Sequence, residues 1–281
     1  MPETPLAQVK IILVEPAGAL NVGSVARVMK NMGLSQLVLV NPQCDRASPE
    51  ARQMAVHAAD ILEAAQEAPS LPAALQGCQK AIATTGRDRT ALTIPLESPR
   101  VALPWLLDLP TDRPTWQSAL IFGREDRGLS KEELNYAQRF IRIPSTDLYP
   151  SLNLAQAVAI CCYELHMEAI SPSSRLSTAP AVLPEFPAQP FSELAPLEVL
   201  EGYYQQLEAL LLKIGYLYPH TSSSRMEKFR RLFNRAYPSE AEVAMMRGIL
   251  RQMEWALRRA AQSEIATKLE ENSEYSRSQD G

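Results

Sequence analysis

VKIILVEPAGALNVGSVARVMKNMGLSQLVLVNP, residues 9–42, places one amphipathic stretch between two β-rich runs. Within it Val22, Val25, Val28, Met29 and Met32 recur at helical spacing, and Gly33 stands where a helix ends. The flanking runs, 9–15 and 36–42, read as strands. Strand, crossover helix and strand make a β-α-β unit. Outward from it the alternation continues through KAIATTG (80–86), SALIFG (118–123) and FIRIP (140–144). Such alternation predicts an α/β fold with a mostly parallel sheet covered on both faces. A second long helix is expected after Ser151, where Leu152, Leu154, Ala157, Val158, Cys161, Leu165 and Met167 give a broad apolar surface.

The next segment, 171–190, holds five prolines and four serines, which excludes a continuous helix or a central strand. It reads as a linker between a first domain, 1–170, and a C-terminal module, 191–281. Helical patterns from Leu194 to Tyr218, Arg225 to Tyr237 and Ser239 to about Lys268 make that module small and all-helical, with a frayed polar end. Its proline-rich junction predicts that it folds independently and that removing it exposes little core. Between Arg225 and Arg259 nine basic residues face four glutamates, in a chain whose net charge is −4. A basic helical module on an acidic chain fits either a polyanionic partner or ordinary solvated helix faces. Arg225, Lys228, Arg230, Arg231 and Arg235 are the candidate nucleic-acid contacts.

With 46% hydrophobic and 21% charged residues, the chain is not a disordered one. No apolar run is long enough to span a membrane, and the start MPETPLAQVK lacks the order of a signal peptide, so a cytoplasmic protein is expected. Cys44, Cys78, Cys161 and Cys162 form no C-x-x-C pair and read as reduced thiols. His57, His166 and His220 lie far apart, so no metal site is expected.

Three loops collect the polar groups. EPAGALNVGS spaces Gly18 and Gly23 like a phosphate loop but has Ser24 where the lysine belongs, and it lacks G-x-G-x-x-G. Asn21 and Arg27 remain near its helix start, and Arg27 taken alone reads as a solvated arginine. In IFGREDRGLSKEEL (121–134), Gly123 and Gly128 bracket four charged residues, and Ser130 with Glu133 forms a capping box. There Glu125 and Asp126 either face a ligand at a strand end or pair with Arg124 and Arg127. In IPSTDLYPSLNLAQAV (143–158), Pro150 or Ser151 marks a helix start with Asn153 in its first turn, where amides can hold an anion.

Taken in order, N-V-G-S-V-A-R (21–27), F-G-R-E-D-R-G-L (122–129) and S-L-N-L-A-Q-A-V (151–158) resemble the three motifs of the TrmH-type branch of the SPOUT RNA ribose 2′-O-methyltransferases. The resemblance covers about residues 9–168. R-M-E-K-F-R-R-L-F-N-R-A (225–236) and M-M-R-G-I-L (245–250) are similar to the extension of the TrmJ subgroup, which methylates position 32 of the tRNA anticodon loop. This likeness implies a deep trefoil knot, S-adenosylmethionine as cofactor, tRNA as partner and a homodimer whose sites are completed by the partner's first motif. Carried over by position, the cofactor would be held by Thr84, Thr85, Gly86, Gly123, Ile143, Pro150, Ser151 and Leu152. Asn21, Arg27, Glu125, Ser151 and Asn153 would form the catalytic set.

A ribose 2′-hydroxyl is a weak acid facing an activated methyl group, so the reaction needs alignment and removal of a proton. No histidine lies in the motifs. Arg27 is therefore cast as a guanidinium that grips an RNA phosphate and steadies the developing alkoxide, with the proton passing to the phosphate or to Arg27 itself. Other readings are a ribosomal RNA methyltransferase, a non-catalytic RNA-binding protein on the same fold, and an enzyme acting on a small molecule.

Overall fold

Strand β1 (Val9–Val14) is buried along its whole length and sends alternate residues to opposite sides. Val9, Ile11 and Leu13 enter one core, while Ile12 and Val14 enter another. Around it lie β2 (Gln36–Val40), β3 (Gln66–Ala68), β4 (Cys78–Thr84), β5 (Gln117–Phe122) and β6 (Arg139–Ile141), all paired in parallel in the order β3-β2-β1-β5-β4-β6. The parallel α/β sheet expected from the sequence is present. Parallel pairing throughout brings the C-terminal ends of all six strands to one edge. The computed structural model describes residues 5–86, 95–110, 113, 115–146, 148, 150–171 and 194–279. Apart from Ser171, the proline-rich segment 171–190 lies outside the described residues.

On the first face pack α1 (Ala19–Asn31), α2 (Pro49–Ala55) and α3 (Ala59–Ala64), joined later in the chain by α5 (Pro99–Ala102), α6 (Pro104–Leu107) and α8 (Leu154–Ile170). Helices α1 and α2 touch backbone to backbone at Gly23, where a Cβ would lie 2.1 Å from the Ala51 carbonyl oxygen. Packing against α2 therefore accounts for the glycine of the first motif. Lys80 of β4 is fully buried and donates from Nζ to the carbonyl oxygens of Trp105 (3.0 Å) and Asp108, closing the end of α6 with a cation.

Among the described residues of the sheet region, the second face receives only four-residue helices, α4 (Leu71–Ala74) and α7 (Lys131–Leu134). The C-terminal helices α9 (Leu197–Lys213), α10 (Ser222–Ala236) and α11 (Glu240–Gln279) complete its cover. Leu200, Tyr203, Tyr204, Leu207 and Leu210 line the buried side of α9 and share a core with Ile12, Val14, Val38, Val40 and Ile121. Polar contacts reinforce the seam. Glu198 accepts the Gly77 amide at 2.8 Å, and buried Asn234 donates to the carbonyls of Asn135 and Ala137 at 3.3 Å while accepting the Tyr204 hydroxyl at 2.8 Å. The expectation that removal of the tail exposes little core is corrected by this packing, because the apolar residues of one whole sheet face lie beneath it.

Edge strand β6 has a neighbour on each side. One edge pairs with β4, and on the other Glu97 donates its amide to Phe140 O and accepts from the Arg142 amide, both at 3.0 Å. Arg139 forms an ion pair with the Glu97 carboxylate. The part of the β4–β5 connection around Glu97 therefore runs along the outside of β6. Some sequence boundaries shift: the last strand ends at Ile141, and α8 begins at Leu154 with Asn153 as its N-cap. Strand β3 and helices α2 and α3, for which the sequence pattern gave no expectation, fill the span 49–68. The thiols are free, with Cys78, Cys161 and Cys162 buried. Burial pushes the Cys162 thiol up to about 12 and that of Cys78 to about 11.

Candidate active site

At the C-terminal edge, β1 and β2 are each followed by a residue with positive φ, Glu15 (φ 49°) and Asn41 (φ 45°). Neither is glycine, and such strain gathers where a loop must be aimed. The Glu15 amide still reaches Val40 O at 2.8 Å, so the chain leaves the sheet only after this bond. The loop that follows is held from outside by Glu125. Its Oε2 accepts the Ala17 amide at 3.0 Å, and its Oε1 accepts the Gly18 amide at 3.1 Å and Asn21 Nδ2 at 3.0 Å.

Asn21 passes the contact on. Its Oδ1 accepts Asn153 Nδ2 at 2.9 Å, and Asn153 Oδ1 in turn caps α8 by accepting the amides of Ala155 (2.9 Å) and Gln156 (3.4 Å). One chain of hydrogen bonds thus ties together the three motifs, across 104 residues from Asn21 to Glu125 and 132 from Asn21 to Asn153. Burial draws the Glu125 carboxyl upward, but the hydrogen bonds from Asn21 and from the Ala17 and Gly18 amides prevail and hold it below the usual carboxylate range. An ionised Glu125 accepts only, so its work is to position the first loop.

Neighbouring charges are otherwise arranged than within the second motif alone. Arg127 bridges Glu15 and Glu133, both at 2.9 Å, and these carboxylates raise its already high basicity. Arg124 pairs with Asp126 at 3.0 Å and approaches Glu15 at 3.8 Å. Glu15 was missed by sequence reading, although a charged residue closing an apolar strand was a usable signal. Ser130 and Glu133 form the expected capping box.

Arg27 lies apart from this chain. It is exposed on α1, and its side chain forms no hydrogen bond or ion pair with the described residues. Ser151 and Leu152 are exposed beside Asn153, and Ser145 Oγ donates to Pro150 O at 3.1 Å. Across from them the Thr85 amide donates to Ile141 O at 3.0 Å, and a Cβ on Gly86 would sit 4.0 Å from Pro150 O. Ile143 is half-buried against the first core. Loops after the adjacent strands β5, β4 and β6 therefore adjoin, as ligand-holding loops of open sheets do. Two of the cofactor candidates have internal tasks. Thr84 Oγ1 donates to Ile121 O at 3.0 Å. A Cβ on Gly123 would lie 2.2 Å from both Gly128 C and Leu129 N, so that glycine lets the 123–128 loop fold onto itself. A bulky residue there strains the loop before it meets any ligand.

Among the basic candidates Arg225, Lys228 and Arg235 are exposed, while Arg231 is partly covered by its ion pair with Glu227. Arg230 departs from expectation. Its guanidinium forms a two-pronged pair with Glu201, 2.5 and 2.8 Å, and lies 4.6 Å from the Tyr204 ring centre, so it joins α10 to α9. Among the described residues no group of three His, Cys, Asp or Glu could hold a metal, and no helix is long and apolar enough to cross a membrane.

Residues 8–163 match the model of the SpoU rRNA Methylase family, and residues 198–265 match that of the tRNA methyltransferase TrmJ C-terminal domain. The tRNA (cytidine/uridine-2′-O-)-methyltransferase TrmJ of Pectobacterium atrosepticum is 38% identical over 245 residues, 87% of this chain and 96% of its own. A Pseudomonas aeruginosa relative, tRNA (cytidine/uridine/adenosine-2′-O-)-methyltransferase TrmJ, is also 38% identical, over 87% of this chain and 93% of its own. The crystal structure of TrmJ from Z. mobilis ZM4 superposes with a TM-score of 0.74 at 30% identity, covering 88% of this chain and all of that one.

Proposed function

The chain belongs to the SpoU methylase family, and from that premise we propose that it methylates a ribose 2′-hydroxyl of tRNA, at a cytidine or uridine in position 32 of the anticodon loop. The observation that carries this reading is the Glu125–Asn21–Asn153 chain, which joins all three motifs at the C-terminal edge of the sheet. The tRNA substrate rests on the relatives, whose names specify it and whose length this chain spans almost completely. A match to the C-terminal domain of a tRNA methyltransferase favours tRNA over ribosomal RNA.

S-adenosylmethionine suits the adjoining loops. Gly86 leaves space towards Pro150, and Leu152, 36% exposed, offers an apolar surface beside backbone polar groups. Pro150, Ser151, Leu152, Thr85, Gly86 and Ile143 would hold it. Bound there, it supplies an activated methyl group. Asn153 and Asn21 fix the two loops against each other, and Glu125 keeps the first loop open in shape. Arg27, with its guanidinium uncommitted within the described residues, would grip an RNA phosphate and steady the 2′-oxygen while its proton passes to that phosphate or to Arg27 itself. A trefoil knot belongs to the same reading, supported by the path of the Glu97 segment outside β6.

A homodimer completes the proposal. Ile160, Tyr163, Met167 and Ile170 form an exposed stripe along α8 at helical spacing, and a second copy seated there would bring its own Arg27 towards this site. Residues 1–170 then perform the chemistry and 191–281 meet the RNA, with 171–190 between them. Arg225, Lys228, Arg231 and Arg235 are the proposed phosphate contacts.

Arg27→Ala tests the reading. Methylation of tRNA, read by nucleoside mass spectrometry, should fall by about 100-fold or more, while calorimetric affinity for S-adenosylmethionine stays close to wild type. Arg27→Lys should also be poor, because an ammonium lacks the planar fork. A large loss of cofactor affinity would remove Arg27 from the transfer step.

A further inference from the structure

Helix α9 ends in a turn whose geometry forces aromatic side chains outward. Gly215 takes φ +73°, and the amides of Tyr216 and Leu217 both return to Leu211 O at 3.0 Å. Leu217 is then driven into the core, only 1% exposed, which leaves Tyr216 and Tyr218 on the outside at 54% each. Their rings are held in place. Arg225 lies 5.9 Å from the Tyr216 ring centre and donates to Tyr216 O at 3.0 Å, while the His220 ring stacks on Tyr218 at 5.9 Å and 25°. The loop closes through the Thr221 amide, 2.9 Å from Tyr218 O.

Exposed, preordered aromatic rings beside cations are the chemistry that unpaired bases recognise. The start of α10 faces the same loop and has no acidic residue in its first turn. From Arg225 an exposed row continues through Lys228 to Arg235, spaced three and seven residues apart on one side of α10 and spanning about 15 Å.

We propose that Tyr216 and Tyr218, with His220 stacked behind, form a platform on which unpaired nucleotides of an RNA substrate stack, their phosphates following Arg225 and Lys228 along α10. The idea rests on the proposed tRNA reading, and it adds a second contact with single-stranded RNA away from the methyl-transfer edge. Stacking explains why both rings are exposed beside cations, which phosphate binding alone does not require.

Fluorescence anisotropy with a labelled tRNA transcript and a labelled eight-nucleotide uridine strand tests it on the full chain. The double variant Tyr216→Ala/Tyr218→Ala should bind both probes about tenfold or more weakly, with an unchanged salt slope. Tyr216→Phe/Tyr218→Phe should retain wild-type affinity, and Tyr216→Leu/Tyr218→Leu, apolar without a ring, should lose it. Arg225→Gln should instead lower the salt slope by about one. Wild-type affinity in the Ala or Leu double variant, or a loss that Phe does not restore, overturns the platform. Methylation of tRNA by the wild-type chain is measured alongside. Its failure defeats the tRNA reading, whereas active wild-type protein with unaffected Tyr variants defeats the platform alone.

Discussion

The two faces of the sheet are built from different parts of the chain. On the first, α1, α2 and α3 cover the strands in the order in which the chain lays them down, and α8 follows directly after β6. On the second, the local helices α4 and α7 have four residues each, and the cover comes from α9, α10 and α11, beyond residue 193. Only the first face also carries the site, because α1 and α8 begin at the loops that Asn21 and Asn153 join. The difference separates two duties. The first face carries the joined motif loops, and the second supplies stability while presenting a basic, aromatic surface to solvent.

Truncation is the harshest way to break this comparison. Removing 172–281 uncovers Ile12, Val14, Val38, Val40, Ile121 and Phe140 on the second face. Burial of each such side chain contributes about 1.5–3 kcal/mol, so the loss approaches the whole ~5–15 kcal/mol stability of a domain. The expected product is insoluble or molten, by near-ultraviolet circular dichroism. A shortened protein with the full-length melting temperature would show that the second face needs no cover.

A smaller change sharpens the same contrast. Leu210 is 1% exposed in α9, and Leu210→Ala should cost about 2–5 kcal/mol. Denaturant unfolding should shift as one transition for the whole described core. Two separated transitions, with only the later part destabilised, would restore an independently folding tail.

The smallest effect belongs to the site. Glu125 ionises more readily folded than unfolded, so it stabilises the fold at pH values above its ordinary range and loses that contribution as pH falls through the depressed folded value. Glu125→Gln should therefore reduce stability above that range by less than about 1 kcal/mol, given its partial exposure, and leave stability in stronger acid unchanged. Equal pH profiles for the two proteins would mean that the Ala17 and Gly18 amides do not depend on the carboxylate. Methyl transfer should suffer more than stability does, since the first loop loses its anchor.

The sequence by itself determined the β-α-β unit around 9–42, the parallel sheet and the three motif loops. Each depends on local periodicity or on strand-end chemistry that neighbouring residues carry. The capping pair Ser130 and Glu133 was legible for the same reason, with both partners lying within one turn. Tertiary structure alone decided what each motif residue touches. Glu125 holds amides 107 and 108 residues away, Arg127 chooses Glu15 and Glu133 over its chain neighbours, and Arg230 spends its charge on Glu201. Gly123 and Gly23 were legible as motif glycines, yet what they make room for is backbone of this same chain. Long-range pairing leaves no periodic trace, because only the folded path brings those groups within hydrogen-bonding distance. The cover of the second face was hidden likewise, since an amphipathic helix records that it is buried but not against which strand.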